Sequence, residues 1–500
     1  MRKKIIIMLV AIVMVFSLSL ATISPARADN GKEEAIAKGL EWLAAQQDDT
    51  TGAWNLDYYP VASTAFAVLK FEHHAKKILE IDPFDDTYTY KANIVAGLKY
   101  IFEHAVCVDI NDEPADNPDV NLVNGMGVYF MSPAASEWWE RPMYETGIVM
   151  MALEASCHPE FEVDVLLSCV HNWTYLDVMK DTVDYVAWAQ NDEPNPGRGG
   201  WRYGAYDDGT ISGPGLFPDG KDSDNSVSQW PVLGLMAAEA WDVYAPDWVG
   251  TELENHWLAY SQSFPKPPGN GGFGYTDNTG PNIALTASGL TQLTYCGVTT
   301  DDPRWGAAAQ WICENWGGFG DLYSMYGVMK AAMTAQPEII WDFCGHMWQE
   351  EYDEWLIANQ VLPDGYWTGG YGPDGGRLLA TEWALLILQK VIPPITRLAL
   401  APESDVNMVG TTHTLTATLT RDGEPIPDET LTFEVTAGPH IGATGTDTTN
   451  DAGEATWSYR GITPGDDTIV ATGAGETSNE AYKTWEVPPP PAVPTVSQEQ

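Results

Sequence analysis

Apolar positions alternate between two textures over most of the chain. In residues 33–47, Ile36, Leu40, Leu43 and Gln47 fall at helical spacing on one face, which predicts an amphipathic helix. Residues 61–69 are instead apolar nearly all round, and a helix apolar on every face is buried on every face. The second texture returns at residues 144–155, 227–241, 283–295, 323–335 and 379–391. The alternation predicts outer amphipathic helices wrapped around inner apolar ones, in two concentric rings.

A recurring turn joins the textures. Gln46-Gln47 precedes Gly52-Ala53-Trp54, Trp188-Ala189-Gln190 precedes Gly199-Gly200-Trp201, and Tyr260-Ser261-Gln262 precedes Gly271-Gly272-Phe273. Trp355 to Gln360 precedes Gly365-Tyr366-Trp367, while Gly317-Gly318-Phe319 is a shorter copy and Gly125-Met126-Gly127 a degenerate one. Glycine allows the tight reversal, the tryptophan folds back on the next helix, and Gln46 or Gln47 can reach orphan backbone groups at helix ends. Recurrence at this scale means one helix-turn-helix unit stacked several times.

These Gln…Gly-x-Trp units resemble the QW repeats of squalene-hopene and oxidosqualene cyclases. Their wider superfamily of α/α-toroids includes prenyltransferase β-subunits, complement thioester domains and cobalamin carriers. The resemblance covers roughly residues 33–393 and implies an all-α (α/α)6 toroid. It says little about chemistry, since one fold hosts many functions.

At Pro393-Pro394 the period changes to alternation. Residues 414–420 and 431–435 read as strands with one buried face, Asp422-Gly423 as a hairpin turn, and Trp457 as a core plug. Residues 394–487 fit an all-β immunoglobulin-like sandwich. The stretches 409–417, 451–455 and 459–461 resemble the Big-1 domains of bacterial surface adhesins, which implies a stalk. Residues 488–500 form a proline-rich tail suited to a semi-rigid spacer. At the other end, Arg2-Lys3-Lys4, an apolar run and Ala26-Arg27-Ala28 predict a signal peptide over residues 1–28. The expected plan is therefore multi-domain, with residues 29–393 as toroid and 394–487 as sandwich, in a secreted or cell-surface protein without an integral membrane segment after cleavage.

Charge narrows the partners. A formal net charge of -45 disfavours nucleic acid and anionic lipid, both of which need lysine and arginine. The acidic runs at residues 109–113 and 116–119 offer oxygen ligands for calcium but lack the EF-hand spacing. The six cysteines lie scattered in apolar stretches, which favours mostly structural thiols, with Cys296–Cys313 the favoured bridge.

Cyclases of the resembled type carry an Asp-x-Asp-Asp motif whose aspartic acid protonates an alkene. Asp222-Ser223-Asp224-Asn225 is the nearest match, and the resemblance would make Asp224 the acid and Asp222 its partner. Asn225 departs from the pattern. Pro231 predicts a helix start near Ser228, leaving both aspartates in a loop or cap. Asp342-Phe343-Cys344 with His346 has the spelling of a prenyltransferase zinc site but precedes an outer helix, so no metal is predicted. No cofactor motif is present. Glu145, Asp321 and Glu382 open inner helices, where the helix dipole favours a carboxylate. With Tyr58, Tyr59, Trp201, Tyr203 and Trp230 they can line the mouth of the toroid. Glu145, Trp201, Tyr203, Trp230 and Glu382 are the candidate ligand-binding residues. The expectation is a non-catalytic binding or scaffold protein for a small molecule or an extracellular surface partner. The alternatives are a divergent terpenoid cyclase or a glycan-active α/α barrel with Asp224 as acid, or a carrier for a hydrophobic or cobalamin-like ligand.

Overall fold

The computed structural model describes residues 26–55, 59–110, 116–133, 141–191, 197–204, 223–265, 269–317, 319–370, 375–422 and 424–487. The predicted signal peptide (except its last residues), the proline-rich tail, Tyr58, Asp222, Gly423 and the acidic stretch 111–115 lie outside the described residues. The chain combines helices and sheets in more than one domain, with one hydrophobic core running from Ala35 to Ile395 and a second from Leu398 to Trp485. No described helix is long and apolar enough to cross a membrane.

The helices alternate as the hydrophobic textures predict. They are α1 (Ala26–Ala44), α2 (Pro60–His73), α3 (Lys91–Glu103), α4 (Pro142–Ala155), α5 (Tyr175–Trp188) and α6 (Asn225–Glu239). A broken helix α7 follows, from Asp247–Glu252 through a π-type turn, Leu253–Leu258, to Ala259–Ser261. Then come α8 (Ile283–Tyr295), α9 (Pro303–Glu314), α10 (Leu322–Thr334), α11 (Trp348–Asn359) and α12 (Arg377–Gln389). Even-numbered helices pack in cyclic order, α2 on α4, then α6, α8, α10 and α12, and α12 returns to α2. Odd-numbered helices pack outside them, and α1 meets both α11 and α12 where the ring closes.

The repeated turn explains why the ring closes. Gln47 Nε2 donates to the carbonyls of Gly52 (2.8 Å) and Asn93 (3.0 Å), so the end of α1 is stitched to the start of α3. Gln190 joins Gly199 and Val249, Gln262 joins Gly271 and Arg304, and Gln360 joins Gly365 and Ala35. Each amide thus ties one outer helix to the next, and Gln360 ties the last to the first. The glycine is required. At Gly199 (φ 82°) a Cβ would lie 2.1 Å from the Glu252 carbonyl oxygen, because the turn rests against the neighbouring helix. The tryptophans face back, with Trp54, Trp201 and Trp367 donating their indole N–H to Leu43, Val186 and Leu356.

Two junctions lack the glutamine, and each carries a disulfide instead. Cys107, in β1 (Ala105–Asp109) just after α3, bonds Cys169 just before α5. Cys313, at the end of α9, bonds Cys344 in the β3–β4 turn (Asp342–Phe343, His346–Met347) just before α11. The expected Cys296–Cys313 bridge is therefore incorrect, and Cys157 and Cys296 are free thiols. Nor is Gly125-Met126-Gly127 a repeat turn. Gly127 lies in β2 (Met126–Phe130), paired antiparallel with β1, and Phe130 N–H takes the hydroxyl of Thr146 as the repeat aromatics take theirs.

Pro231 corrects another expectation. The helix begins at Asn225, not near Ser228, and holds Pro231 in its interior. Gly147 of α4 packs directly against this stretch, since a Cβ there would meet the Trp230 carbonyl oxygen.

The remaining strands are β5 (Thr396–Ala401), β6 (Ser404–Met408), β7 (Thr412–Arg421), β8 (Glu424–Pro425), β9 (Thr430–Ala437) and β10 (Thr444–Thr448). They are followed by β11 (Glu454–Arg460), β12 (Gly465–Gly473), β13 (Glu476–Thr477) and β14 (Ala481–Glu486). One sheet runs β10-β9-β12-β14-β6 and the other β11-β7-β5, with β13 and β8 as side pairs. Alternate residues such as Leu431, Phe433 and Val435 turn inward. The buried tryptophan is Trp485, whose indole bonds Asp467; Trp457 is only half-buried and stacks on Tyr459. The β region meets the C-terminal ends of the even helices. Arg421 donates to the Ala240 carbonyl, Arg397 to that of Met333, and Lys77 pairs with Asp422. Because β14 runs antiparallel to β12, the chain leaves at the opposite end.

Candidate functional site

The N-terminal ends of the even helices form the other face, and the chemistry-bearing side chains gather there. The Arg141 guanidinium lies over the Tyr203 ring at 3.7 Å, and Arg202 lies over Tyr203 at 4.6 Å and Tyr275 at 5.6 Å. The Tyr203 and Tyr275 hydroxyls meet at 2.9 Å, and Tyr144 stacks on Tyr203. This makes a ladder of alternating guanidinium and phenol groups in a chain with 25 lysines and arginines against 70 acids. Tyr203 was expected at the mouth. Arg141, Arg202, Tyr144 and Tyr275 were missed, although Arg202 adjoins the Gly-Gly-Trp turn in sequence.

Asp224 lies just beneath the ladder. One carboxylate oxygen accepts the Val227 N–H (2.8 Å) and the Ser226 hydroxyl (2.6 Å), which makes Asp224 the N-cap of α6. The other accepts from Arg202 at 2.5 Å. Burial raises its pKa, opposed by Ser226 and Arg202. Asp224 thus caps the helix and pairs with the ladder, while Asp222 lies outside the described residues.

Tyr59, also expected at the mouth, lies beside Arg141 of the ladder, whereas the remaining predicted residues do not converge there. Glu145 is buried and accepts from the Ser132 N–H and hydroxyl at 2.8 and 2.7 Å, and burial pushes its pKa up to about 8. Ser132 in turn accepts the Val61 N–H, so this pair ties α4 to the start of α2. Glu382 accepts the Ser63 hydroxyl at 2.6 Å. Trp201 is wholly buried in its repeat turn, and Asp321 caps α10 through Ser324. Trp230 belongs to the middle of the ring.

That middle is occupied by side chains. Phe66 meets Trp230 and Trp383 edge-on at 5.5 and 5.0 Å, and Tyr326 contacts both tryptophans at 6.2 and 5.2 Å. None of these four rings is more than 7% exposed. Two lysines are buried among them. Lys330 binds the Gln229 side-chain oxygen and lies over Trp230 and Tyr326, and Lys70 donates to the Phe66 carbonyl. Burial lowers both pKa values to about 7, so each amine gives up its proton far more readily than an exposed lysine.

Among the described residues no group of three or more His, Cys, Asp or Glu could hold a metal ion. Cys344 is consumed in its disulfide and His346 faces Glu351, so the zinc spelling has no thiolate to offer. In the other acidic run, Asp119 accepts the backbone N–H groups of Asn124 and Gly125 within its own loop.

No protein-family model and no curated protein matches the sequence. Among solved structures, the chain is similar to the Pseudomonas fluorescens alkylpurine DNA glycosylase AlkC bound to DNA containing an abasic site analog. The identity is 10% and the TM-score 0.14, over 53% of this chain and 79% of that chain. A likeness at that score carries no argument about fold or function.

Proposed function

We propose that the chain is an exported or cell-surface binding protein: a non-catalytic (α/α)6 toroid of about six helical hairpins, residues 29–393, carried on an immunoglobulin-like sandwich, residues 394–487. The signal peptide and proline-rich tail are part of this reading. What carries it is the contact among Phe66, Trp230, Tyr326 and Trp383, which fills the space a large substrate would need. The guanidinium–phenol ladder around Tyr203 is the binding surface of this reading, exposed to a small molecule or an extracellular partner and unsuited to nucleic acid given the overall charge. The exit of β14 away from the helices supports a stalk leading to the cell.

A second reading, a divergent terpenoid cyclase or glycan-active barrel, draws on Asp224, a buried carboxyl of raised pKa beside an aromatic mouth. Incubation of the purified protein with squalene and with a panel of polysaccharides separates the two. The binding reading expects every substrate back unchanged. Product formation abolished by Asp224→Asn would replace it with the enzyme reading.

A further inference from the structure

The opposite end of the helical ring holds a cavity of about 1570 Å³, between the C-terminal ends of the even helices and the β region. Its floor is apolar, formed by the buried Leu69, Met151 and Leu388, with the more open Met333 and Ile339 on the wall. Five of the chain's 25 lysines and arginines line the same space: Lys32, Lys76, Lys77, Lys390 and Arg397.

Their partners divide them. Lys32 is matched by Asp353 at 2.7 Å and Lys77 by Asp422 at 2.8 Å. Lys76, Lys390 and Arg397 are half-buried, and none of the three forms an ion pair among the described residues. Lys390 reaches the Gln349 side-chain oxygen at 3.5 Å, and Arg397 gives Nη2 to the carbonyls of Met333 and Ala335, all uncharged acceptors. Burial lowers the pKa of both, aided at Lys390 by Lys32; Asp353 at the one and Asp422 and Glu476 at the other oppose it without cancelling it. At Lys76 burial is outweighed by Glu154 and the Cys157 thiol, which raise its pKa.

The carboxylates left in the lining offset this charge only in part. Glu33, Glu338, Glu350 and Glu354 are exposed to solvent, and burial raises Glu154 to about 7, so it is only partly charged at neutral pH. His73, beside Gln389, is held neutral by burial, which lowers its pKa to about 4. The interior is therefore a positive wall over an apolar floor, in a chain otherwise dominated by acids. A half-buried cation without a close counter-charge has given up water for little in return, and an anion brought beside it restores the loss.

We infer that this cavity binds a single-chain anionic amphiphile, its alkyl chain on the apolar floor and its carboxylate among Lys390, Arg397 and Lys76. The overall charge of the chain disfavours an anionic membrane surface, whereas one dispersed molecule meets the local cations within a screening length of about 8 Å. The site lies at the far end from the ladder around Tyr203, and its binding does not depend on what that surface recognises.

Isothermal titration calorimetry of the full-length protein with decanoate, decan-1-ol, decylamine and inorganic phosphate, all below micelle formation, tests this. The expected result is one saturable site for decanoate, about tenfold tighter than for the alcohol or the amine, and no binding of phosphate. Lys390→Gln combined with Arg397→Gln should weaken decanoate about tenfold and leave the alcohol within about twofold. Should that pair not fold, Lys76→Gln combined with Lys390→Gln reads the same loss with the Arg397 hydrogen bonds intact. Met333→Trp, or Ile339→Trp should the first not fold, fills the cavity and should abolish binding. The inference is overturned if decanoate fails to bind, or if the alcohol, the amine or phosphate binds as tightly. It is equally overturned if the preference for decanoate survives the double variant, or binding survives the filling variant, in protein that circular dichroism shows to be folded.

Discussion

Gln190→Leu removes one stitch of the ring and leaves the hydrophobic volume nearly intact. The Gln190 amide nitrogen bonds the carbonyls of Gly199 at 2.8 Å and Val249 at 2.9 Å, both in buried surroundings. Two such bonds contribute about 1 kcal/mol each, and a stranded buried carbonyl adds roughly 1–3 kcal/mol more. Part is offset, because Gln190 Oε1 finds no donor in the folded chain and leucine relieves that burden. The expected loss is about 2 kcal/mol. The control is Gln46→Ala, since Gln46 donates only to the Trp42 carbonyl one turn back on an exposed surface, and it should cost less than about 0.5 kcal/mol. Urea unfolding followed by tryptophan fluorescence reads both, with hydrogen exchange at Gly199 to Trp201 reporting the local opening. Equal losses for the two variants would refute the idea that the repeat glutamine holds neighbouring outer helices together.

Disulfide mapping should give Cys107–Cys169 and Cys313–Cys344, with Cys157 and Cys296 alkylated only as free thiols; a Cys296–Cys313 peptide would contradict the junction scheme. Loops of 62 and 31 residues imply roughly 4 kcal/mol of stability for each bridge on chain-entropy grounds, so reduction should lower the melting midpoint sharply. Stability should also rise as pH falls from 7 to 5. Burial lifts Glu145 and Glu239 to about 8 and Glu154 to about 7, so the folded state holds protons there that the unfolded chain releases above its ordinary carboxylate range. That contribution is complete at low pH and is lost as pH rises through the folded values. The buried lysines act only above about pH 7, because below it they are protonated in both states. Calorimetry should therefore find a higher midpoint at pH 5 than at pH 7 and a flatter profile in Glu239→Gln; a lower midpoint at pH 5 would refute the assignment.

The helical alternation was legible because burial on one face and burial on all faces leave different patterns in the chain. The choice between Gln46 and Gln47 was not, because it depends on which amide faces the neighbouring helix, at Asn93. A weaker signal passed unread. Each inner helix after a glutamine-bearing repeat turn carries a hydroxyl in its first turn or just beyond, Thr64, Ser228, Thr286 or Thr381, and each accepts the N–H of the turn's aromatic residue. Thr146 would have exposed the second unit in the same way. Cysteine pairing was hidden by chain distance, since Cys313 meets Cys344 only because α11 must be held to α9. Pro231 misled because proline marks a helix start only in the first turn, whereas this helix is capped by Asp224, starts at Asn225 and carries the proline in its interior. At the mouth, Tyr203 and Asp224 could be picked out from the repeat and the motif, whereas the guanidinium ladder joins Arg141, Arg202 and Tyr275 across three separate loops.

Whether the middle of the ring is a core or a chamber is decided most directly by the stability of Phe66→Ala. Phe66 is 4% exposed and touches both Trp230 and Trp383, so its removal should leave an unfilled cavity and cost about 3–4 kcal/mol in denaturant unfolding. A cost below about 1 kcal/mol would mean that the ring faces open space. The centre would then be a chamber for substrate, and the binding-protein reading would fall.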